Sequence, residues 1–306
     1  VDVQKGVVTG CIQFDTLHSI YDCAWSEGNA RHLLSACGDG SIKLFDVEAA
    51  ELANSQPSTP PQQREMAMRP IRAWKEHARE VYSVDWNLVE KNTFLSSSVD
   101  SIKLWDPTQE HAIVTYNEHE HVIYAAIWSP IHAGLFASAA GDGLVKIFDT
   151  RSKYSALTIP AHQHQVLSCD WNKYDDNVVV SSSADKTIRV WDVRKPKQSL
   201  LTLQGHGYAV RKVKCSPHSE SILASVSYDM SCHVWNLDHP QDPLVFRSQH
   251  HSEFVVGLDF NLFLEGQIMT SGWDHQVVLF DCPEAVPPPP QQQQLPPQLP
   301  PPSQQF

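Results

Sequence analysis

Ile188-Arg189-Val190-Trp191-Asp192 is the stretch on which the fold turns, because its pattern closes five other segments of the chain. Ile42-Lys43-Leu44-Phe45-Asp46, Ile102-Lys103-Leu104-Trp105-Asp106 and Val145-Lys146-Ile147-Phe148-Asp149 precede it. Cys232-His233-Val234-Trp235-Asn236 and Val277-Val278-Leu279-Phe280-Asp281 follow. The aromatics stand at 45, 105, 148, 191, 235 and 280, so the steps are 60, 43, 43, 44 and 45 residues. Each segment alternates in the way a half-buried strand does, and recurrence at a near-constant period means one structural unit used repeatedly.

Further marks lie at fixed offsets from these endings. An Asp stands six residues before the aromatic in five units (Asp39, Asp142, Asp185, Asp229, Asp274), while Asp100 stands five before Trp105. A His precedes five of these Asp residues by 23: His77, His119, His162, His206 and His251. The first unit has Thr16 in that place, so its set is incomplete. The expected relay joins His, Asp and the indole of Trp105, Trp191 or Trp235 in a hydrogen-bonded network that ties neighbouring turns together. Between His and Asp lie short alternating runs such as Val81-Tyr82-Ser83-Val84-Asp85-Trp86 and Phe94-Leu95-Ser96-Ser97-Ser98. With the strand before each His, the unit has four strands. One such sheet cannot bury both faces, so the sheets stack radially. The expected fold is an all-β WD-repeat propeller with six recognisable four-stranded blades over residues 1–282.

Two segments break the pattern. The first step is 60 rather than 43 residues, and the polar, Pro-rich run 54–63 within it reads as part of a long loop between blades at about 48–70. Residues 283–306 are nearly all Pro and Gln and read as a disordered tail, for want of apolar side chains to offset ordering entropy.

The 306 residues are 42% hydrophobic and carry a net charge of −12, without clustered Lys and Arg. Nucleic acid is therefore not an expected partner, and no apolar stretch is long enough for direct membrane insertion. The seven cysteines lack CxxC spacing and read as reduced core thiols. The His pairs 119/121, 162/164 and 250/251 each contain a relay His and no Cys at zinc spacing, so neither a metal nor any cofactor is expected. No nucleophile elbow, phosphate loop or paired catalytic carboxylates stand out, and an enzyme is not expected.

Function is instead expected on the rim, where loops sit on a rigid scaffold. Residues three and five after each relay His, with the residue before each turn Asp, should point there. The rule selects Ser19, Tyr21 and Gly38, then Glu80, Tyr82 and Val99, then Val122, Tyr124 and Gly141. It continues with Gln165, Leu167 and Ala184, then Ala209, Arg211 and Tyr228, and ends with Phe254, Val256 and Trp273. Tyr and Trp at exposed positions suit a peptide-binding face.

Several runs go beyond a generic repeat. Tyr21-Asp22-Cys23-Ala24-Trp25-Ser26, His77-Ala78-Arg79-Glu80-Val81-Tyr82-Ser83-Val84-Asp85-Trp86 and Ile123-Tyr124-Ala125-Ala126-Ile127-Trp128-Ser129-Pro130 resemble the WD-repeat receptors for the type-2 peroxisomal targeting signal. So do Pro160-Ala161-His162, Leu167-Ser168-Cys169-Asp170-Trp171, Ala209-Val210-Arg211-Lys212-Val213-Lys214 and His250-His251-Ser252-Glu253-Phe254. The resemblance implies a receptor shuttling between cytoplasm and peroxisome. Such a receptor binds N-terminal signals of matrix cargo and works with a co-receptor and docking proteins of the import machinery. The family's signal opens with an Arg, and Glu80 is the rim carboxylate that matches in context. Tyr82, Tyr21, Tyr124, Gln165, Arg211, Tyr228 and Trp273 complete the expected signal-peptide site. The family's propellers have seven blades, whereas six units are visible here, so its N-terminal blade is expected to be missing and a gap to lie between the first and last blades. The alternative is a substrate adaptor of a cullin-type ubiquitin ligase, since Trp191-Asp192-Val193-Arg194 and Phe148-Asp149-Thr150-Arg151 resemble the short docking box of such adaptors. A scaffold for chromatin complexes is a third, weaker option.

Overall fold

The computed structural model describes residues 13, 14, 16–55 and 60–285. Six antiparallel sheets follow one another along the chain. Their first strands are Ile20–Trp25, Val81–Trp86, Ile123–Trp128, Val166–Trp171, Val210–Cys215 and Val255–Phe260. These strands pack against one another in sequence order and form the inner wall of the propeller. Backbone groups of one inner strand are held by side chains of the previous one. The N–H of Ala126 donates to Ser83 Oγ at 3.0 Å, that of Trp128 to Asp85 at 2.8 Å and that of Cys215 to Asp170 at 2.8 Å.

The apolar core is divided among the sheet interfaces. Leu34 and Ile42 pack with Val84, Trp86 and Phe94 between the first two sheets, and four further clusters fill the next four interfaces. Among the described residues no such cluster joins the sixth sheet to the first. Trp25 is 54% exposed, whereas Trp86, Trp128 and Trp171 at the same strand position are 3%, 2% and 1% exposed. Ile20 on the first sheet and Val277 and Met269 on the sixth are exposed as well. Among the described residues both flanks of the seam are therefore exposed.

The sequence period and the sheet are out of phase. The strand before each relay His hydrogen-bonds to the preceding sheet: Arg72–Trp74, just ahead of His77, is the outer strand of the first sheet and pairs with Ile42–Leu44. Five sheets have four strands, and the sixth has three among the described residues.

The long segment is not a loop between blades. It joins the third and outer strands within the first sheet and holds two helices, α1 (Val47–Ser55) and α2 (Pro61–Ala67). Asp46 starts α1 by accepting the N–H of Ala49 at 2.9 Å, and Ala50 and Ala53 are buried. Pro61 occupies the first turn of α2, where its missing N–H is harmless. The propeller also runs past residue 282. Pro283–Ala285 form a short helical turn, and Ala285 packs into the core beside the fully buried Cys282. Residues 286–306, the rest of the expected tail, lie outside the described residues. Cys37, Cys169, Cys215 and Cys232 are buried free thiols and Cys23 an exposed one, Cys282 is buried, and Cys11 lies outside the described residues. No described helix is long and apolar enough to cross a membrane.

Candidate functional site: the upper rim

In each sheet the loop carrying the relay His and the turn carrying the Asp meet at one end, here called upper. His162 Nδ1 lies 2.8 Å from Asp185, and the corresponding distances are 2.7 Å for His119 and Asp142, 2.9 Å for His206 and Asp229, and 3.0 Å for His251 and Asp274. Burial works to raise the Asp185 and Asp229 carboxyls, but hydrogen bonds from His162 and Thr187, and from His206 and Ser231, hold both far below the usual range. In the second unit the turn is one residue short. Asp100 stays 3.6 Å from His77 and partly in solvent, and burial lowers the His77 imidazole to about 4 against the opposing charge of Asp100.

The periodicity leaves out the group at the centre of the relay. A hydroxyl on the second strand bonds the other nitrogen of each His: Ser96, Ser138, Ser181, Ser225 or Thr270, at 2.7 to 2.9 Å. The indoles of Trp105, Trp191 and Trp235 reach the relay by donating to Ser96, Ser181 and Ser225 at 2.8, 2.9 and 2.8 Å. The signal was present, since each of these hydroxyls stands nine or ten residues before the closing aromatic. In the first unit, which has Thr16 in the His position, Asp39 faces His18 at 3.6 Å and Lys75 at 3.8 Å.

Inside this ring of relays sit the aromatics. Tyr21, Tyr82 and Tyr124, from three consecutive inner strands, form a continuous row with centroids 5.0 and 5.5 Å apart, and the Tyr124 hydroxyl donates to Gln165 at 3.3 Å. Gly38 lies against this row: a side chain there would meet the Tyr21 ring. Tyr228, Phe254 and Trp273 form a second row on the last two sheets, with centroids 4.9 and 5.2 Å apart. Trp273 is 60% exposed. Arg211 stands between the rows on the fifth inner strand and folds onto the Leu167 carbonyl at 3.3 Å. Leu167 itself, expected on the rim, lies on the fourth inner strand and is buried at 7% exposure.

Glu80 lies next to the first row. Its Oε2 is shielded from solvent and has no hydrogen-bond partner, with Arg79 Nε the near cation at 3.5 Å. Burial and then the charge of Glu80 raise the Tyr82 phenol. A shielded carboxylate oxygen that makes no hydrogen bond and meets Arg79 at ion-pair distance keeps acceptor capacity for a further donor.

Other candidate groups are engaged locally. His206, Asp229 and His233 place possible ligand atoms within 4.8 Å of one another, yet both nitrogens of His206 already serve Asp229 and Ser225. The Arg of each docking-box resemblance forks back onto its own strand-end Asp: Arg194 meets Asp192 at 2.9 Å through two nitrogens, and Arg151 grips Asp149 likewise.

Comparison with known proteins adds two findings. The family described as WD domain, G-beta repeat matches residues 10–46, 154–192 and 197–236. A peroxisomal targeting signal 2 receptor of Dictyostelium discoideum is 52% identical over 100 residues, which is 32% of this chain and 27% of that one. The human protein of the same name is 40% identical over 128 residues, 41% of this chain and 34% of its own length. Peroxisome biogenesis protein 7 of Arabidopsis thaliana is 45% identical over 99 residues, 32% of this chain and 26% of its own. The match spans between about a quarter and a third of the length of these curated relatives.

Proposed function

We propose that this propeller is a peroxisomal import receptor whose upper rim binds the N-terminal type-2 targeting signal of matrix proteins. Glu80 takes the signal's Arg, and the Tyr21–Tyr82–Tyr124 row covers the apolar face of the signal helix. Gln165 and Arg211 supply polar contacts, and Tyr228 and Trp273 receive the far end. The observation that carries the reading is the shielded Glu80 Oε2, which makes no hydrogen bond and faces Arg79 at 3.5 Å, set against a row of three tyrosines. A guanidinium would satisfy that oxygen while the rings supply contact area at low entropic cost. The names of the relatives support the same reading. Binding of cargo in the cytoplasm and its delivery to the peroxisome with a co-receptor and docking proteins complete the proposal. No catalytic step belongs to it.

The test compares Glu80→Gln with the unaltered protein against a type-2 signal peptide and its Arg→Ala version, by fluorescence anisotropy. Loss confined to the Arg-containing peptide, on the order of tenfold or more, is expected for a partly desolvated charge pair. Equal weakening of both peptides, or of neither, overturns the pairing. Failure of the unaltered protein to bind the signal overturns the receptor reading.

A further inference from the structure

The end of the propeller opposite the rim is built from the turns that join each inner strand to the second strand. Three of these turns are locked in one way. Asn87 Oδ1 accepts the N–H groups of Val89 and Glu90 at 2.9 and 2.8 Å, Asn172 Oδ1 those of Tyr174 and Asp175 at 2.8 and 3.0 Å, and Asn261 Oδ1 those of Phe263 and Leu264 at 2.8 and 3.1 Å. Neighbouring turns are also tied to each other. Asn87 donates to the Ala133 carbonyl at 2.8 Å, His132 meets Asp176 at 2.7 Å, Asn172 donates to the Glu220 carbonyl at 2.7 Å, and His218 donates to the Asn261 carbonyl at 2.8 Å. This belt links the second sheet to the sixth and fixes what the turns display.

What they display is apolar. Leu262, Phe263 and Leu264 are 67%, 91% and 50% exposed, and Leu88 and Val89 are exposed across the channel mouth. Single exposed apolar residues are ordinary, but three in succession held outward on a hydrogen-bonded turn form an anchor already ordered for binding. Leu88, Pro217 and Leu262 line, with Asp85, Asp170, Asp259, Lys173 and Lys214 deeper in, a cavity of about 160 Å³ at the mouth of the axial channel.

The charge around this mouth is one-sided. Lys214 stands among Asp170, Asp259, Asp85 and Asp22, Lys173 is bound to Asp170 at 2.8 Å, and Lys212 lies 3.6 Å from Asp22. Burial pushes the Asp85 carboxyl up to about 7, opposed by Lys214 and by the Trp128 N–H that it accepts, so the channel itself is close to balanced. Around the mouth the turns add Glu27, Glu90, Asp175, Asp176, Glu220 and Glu265 against Arg31 and Lys91.

We propose that this lower face docks a second protein through a short amphipathic segment, which places one Lys or Arg in the channel mouth and apolar side chains on Leu88, Leu262 and Phe263. The charge of the mouth selects a basic segment over an acidic one, and the fixed apolar turn supplies the contact area. The surface is separate from the upper rim, so both are occupied at once.

The probe is a labelled synthetic helix with Leu and a single Arg on one face, beside its Arg→Glu counterpart, titrated by anisotropy into the full chain. Only the Arg helix should bind. Phe263→Ser, at a site exposed enough to spare the fold, should weaken it about tenfold and Asp259→Asn several-fold. Glu80→Gln and a saturating type-2 signal peptide should leave it unchanged. Equal binding of both helices, or indifference to both lower-face substitutions, overturns the proposal. Competition by the signal peptide assigns the probe to the rim and does the same. A dimer in sedimentation that Phe263→Ser dissociates identifies a second copy as the occupant and also overturns it.

Discussion

The indole N–H of Trp191 donates to the hydroxyl of Ser181 at 2.9 Å, and that hydroxyl is 2.8 Å from His162 Nε2. Since His162 Nδ1 faces the Asp185 carboxylate, which only accepts, the imidazole carries its proton there. Ser181 must then donate to Nε2 while accepting from Trp191. Each donor in the chain has one acceptor, and every member is fixed by the next.

Ser181→Ala therefore strips partners from two buried groups, the Trp191 N–H and His162 Nε2, whereas Asp185→Ala strips them from the buried His162 Nδ1–H and from the part-buried N–H and hydroxyl of Thr187. At about 1–3 kcal/mol for each unsatisfied buried group, both substitutions should be clearly destabilising. Thermal melts measure this: both variants should melt several degrees low. An unchanged melting temperature for either would count against the relay.

Trp25 and Trp86 occupy the same position of the repeat but differ in burial, 54% against 3% exposed. Trp86→Ala should destabilise by about 3–5 kcal/mol, as large-to-small changes in cores do. Trp25→Ala should stay below about 1 kcal/mol, because the ring gains little from a flank open to solvent. Urea midpoints compare them. Equal losses would show that the seam of the propeller is closed.

His233 stacks on His206 with centroids 3.8 Å apart and planes 10° from parallel, at a strand position where other blades carry Lys103, Lys146 or Arg189. Burial, then the proximity of His206, lowers its imidazole to about 3. The unfolded chain takes up that proton near 6.5, so the stabilisation is whole above 6.5 and is lost as pH falls from there toward 3. The slope is about 1.4 kcal/mol per pH unit for each such group. His233→Phe keeps a ring in the stack and removes the titration. Between pH 7 and 5 its stability should fall less than that of the unaltered chain, where His77 and Asp85 titrate in both proteins and cancel. Identical pH slopes would contradict the assignment.

The repeat was legible because it is periodic: the closing aromatics and the His-to-Asp interval mark six sheets without reference to any contact. What the period could not show is which unit a strand pairs with. Arg72–Trp74 belongs by sequence to the unit of His77 and by hydrogen bonding to the sheet before it. The helices α1 and α2 escaped because Pro57, Pro60 and Pro61 outweighed the Asp46 cap and the Ala-rich turn beside it, and Ser181 escaped because serines are common in this chain's second strands. On the rim, the one-strand rule located Tyr21, Tyr82 and Tyr124 without their contacts. Leu167 obeyed the same spacing and is nonetheless buried, which spacing along one strand cannot show.

The row Tyr21–Tyr82–Tyr124 separates ring contact from hydroxyl chemistry. Tyr82 is the middle member, in contact with a ring on each side at 5.0 and 5.5 Å, and its side chain has no role in the relay. If the row serves as an apolar cover for a helical signal, the ring matters and the hydroxyl does not. Tyr82→Phe should bind the signal peptide within about twofold of the unaltered chain, while Tyr82→Ala should lose on the order of tenfold or more, the effect of emptying a central aromatic anchor. Unlike the Glu80→Gln loss, this one should be the same for the Arg-containing peptide and its Arg→Ala version, because the ring meets the helix face and not the guanidinium. Anisotropy titrations of both variants against both peptides measure all four values. A large loss in Tyr82→Phe would transfer the role from the ring to the hydroxyl, and a loss in Tyr82→Ala confined to the Arg peptide would show that the tyrosine works by holding Glu80 in place.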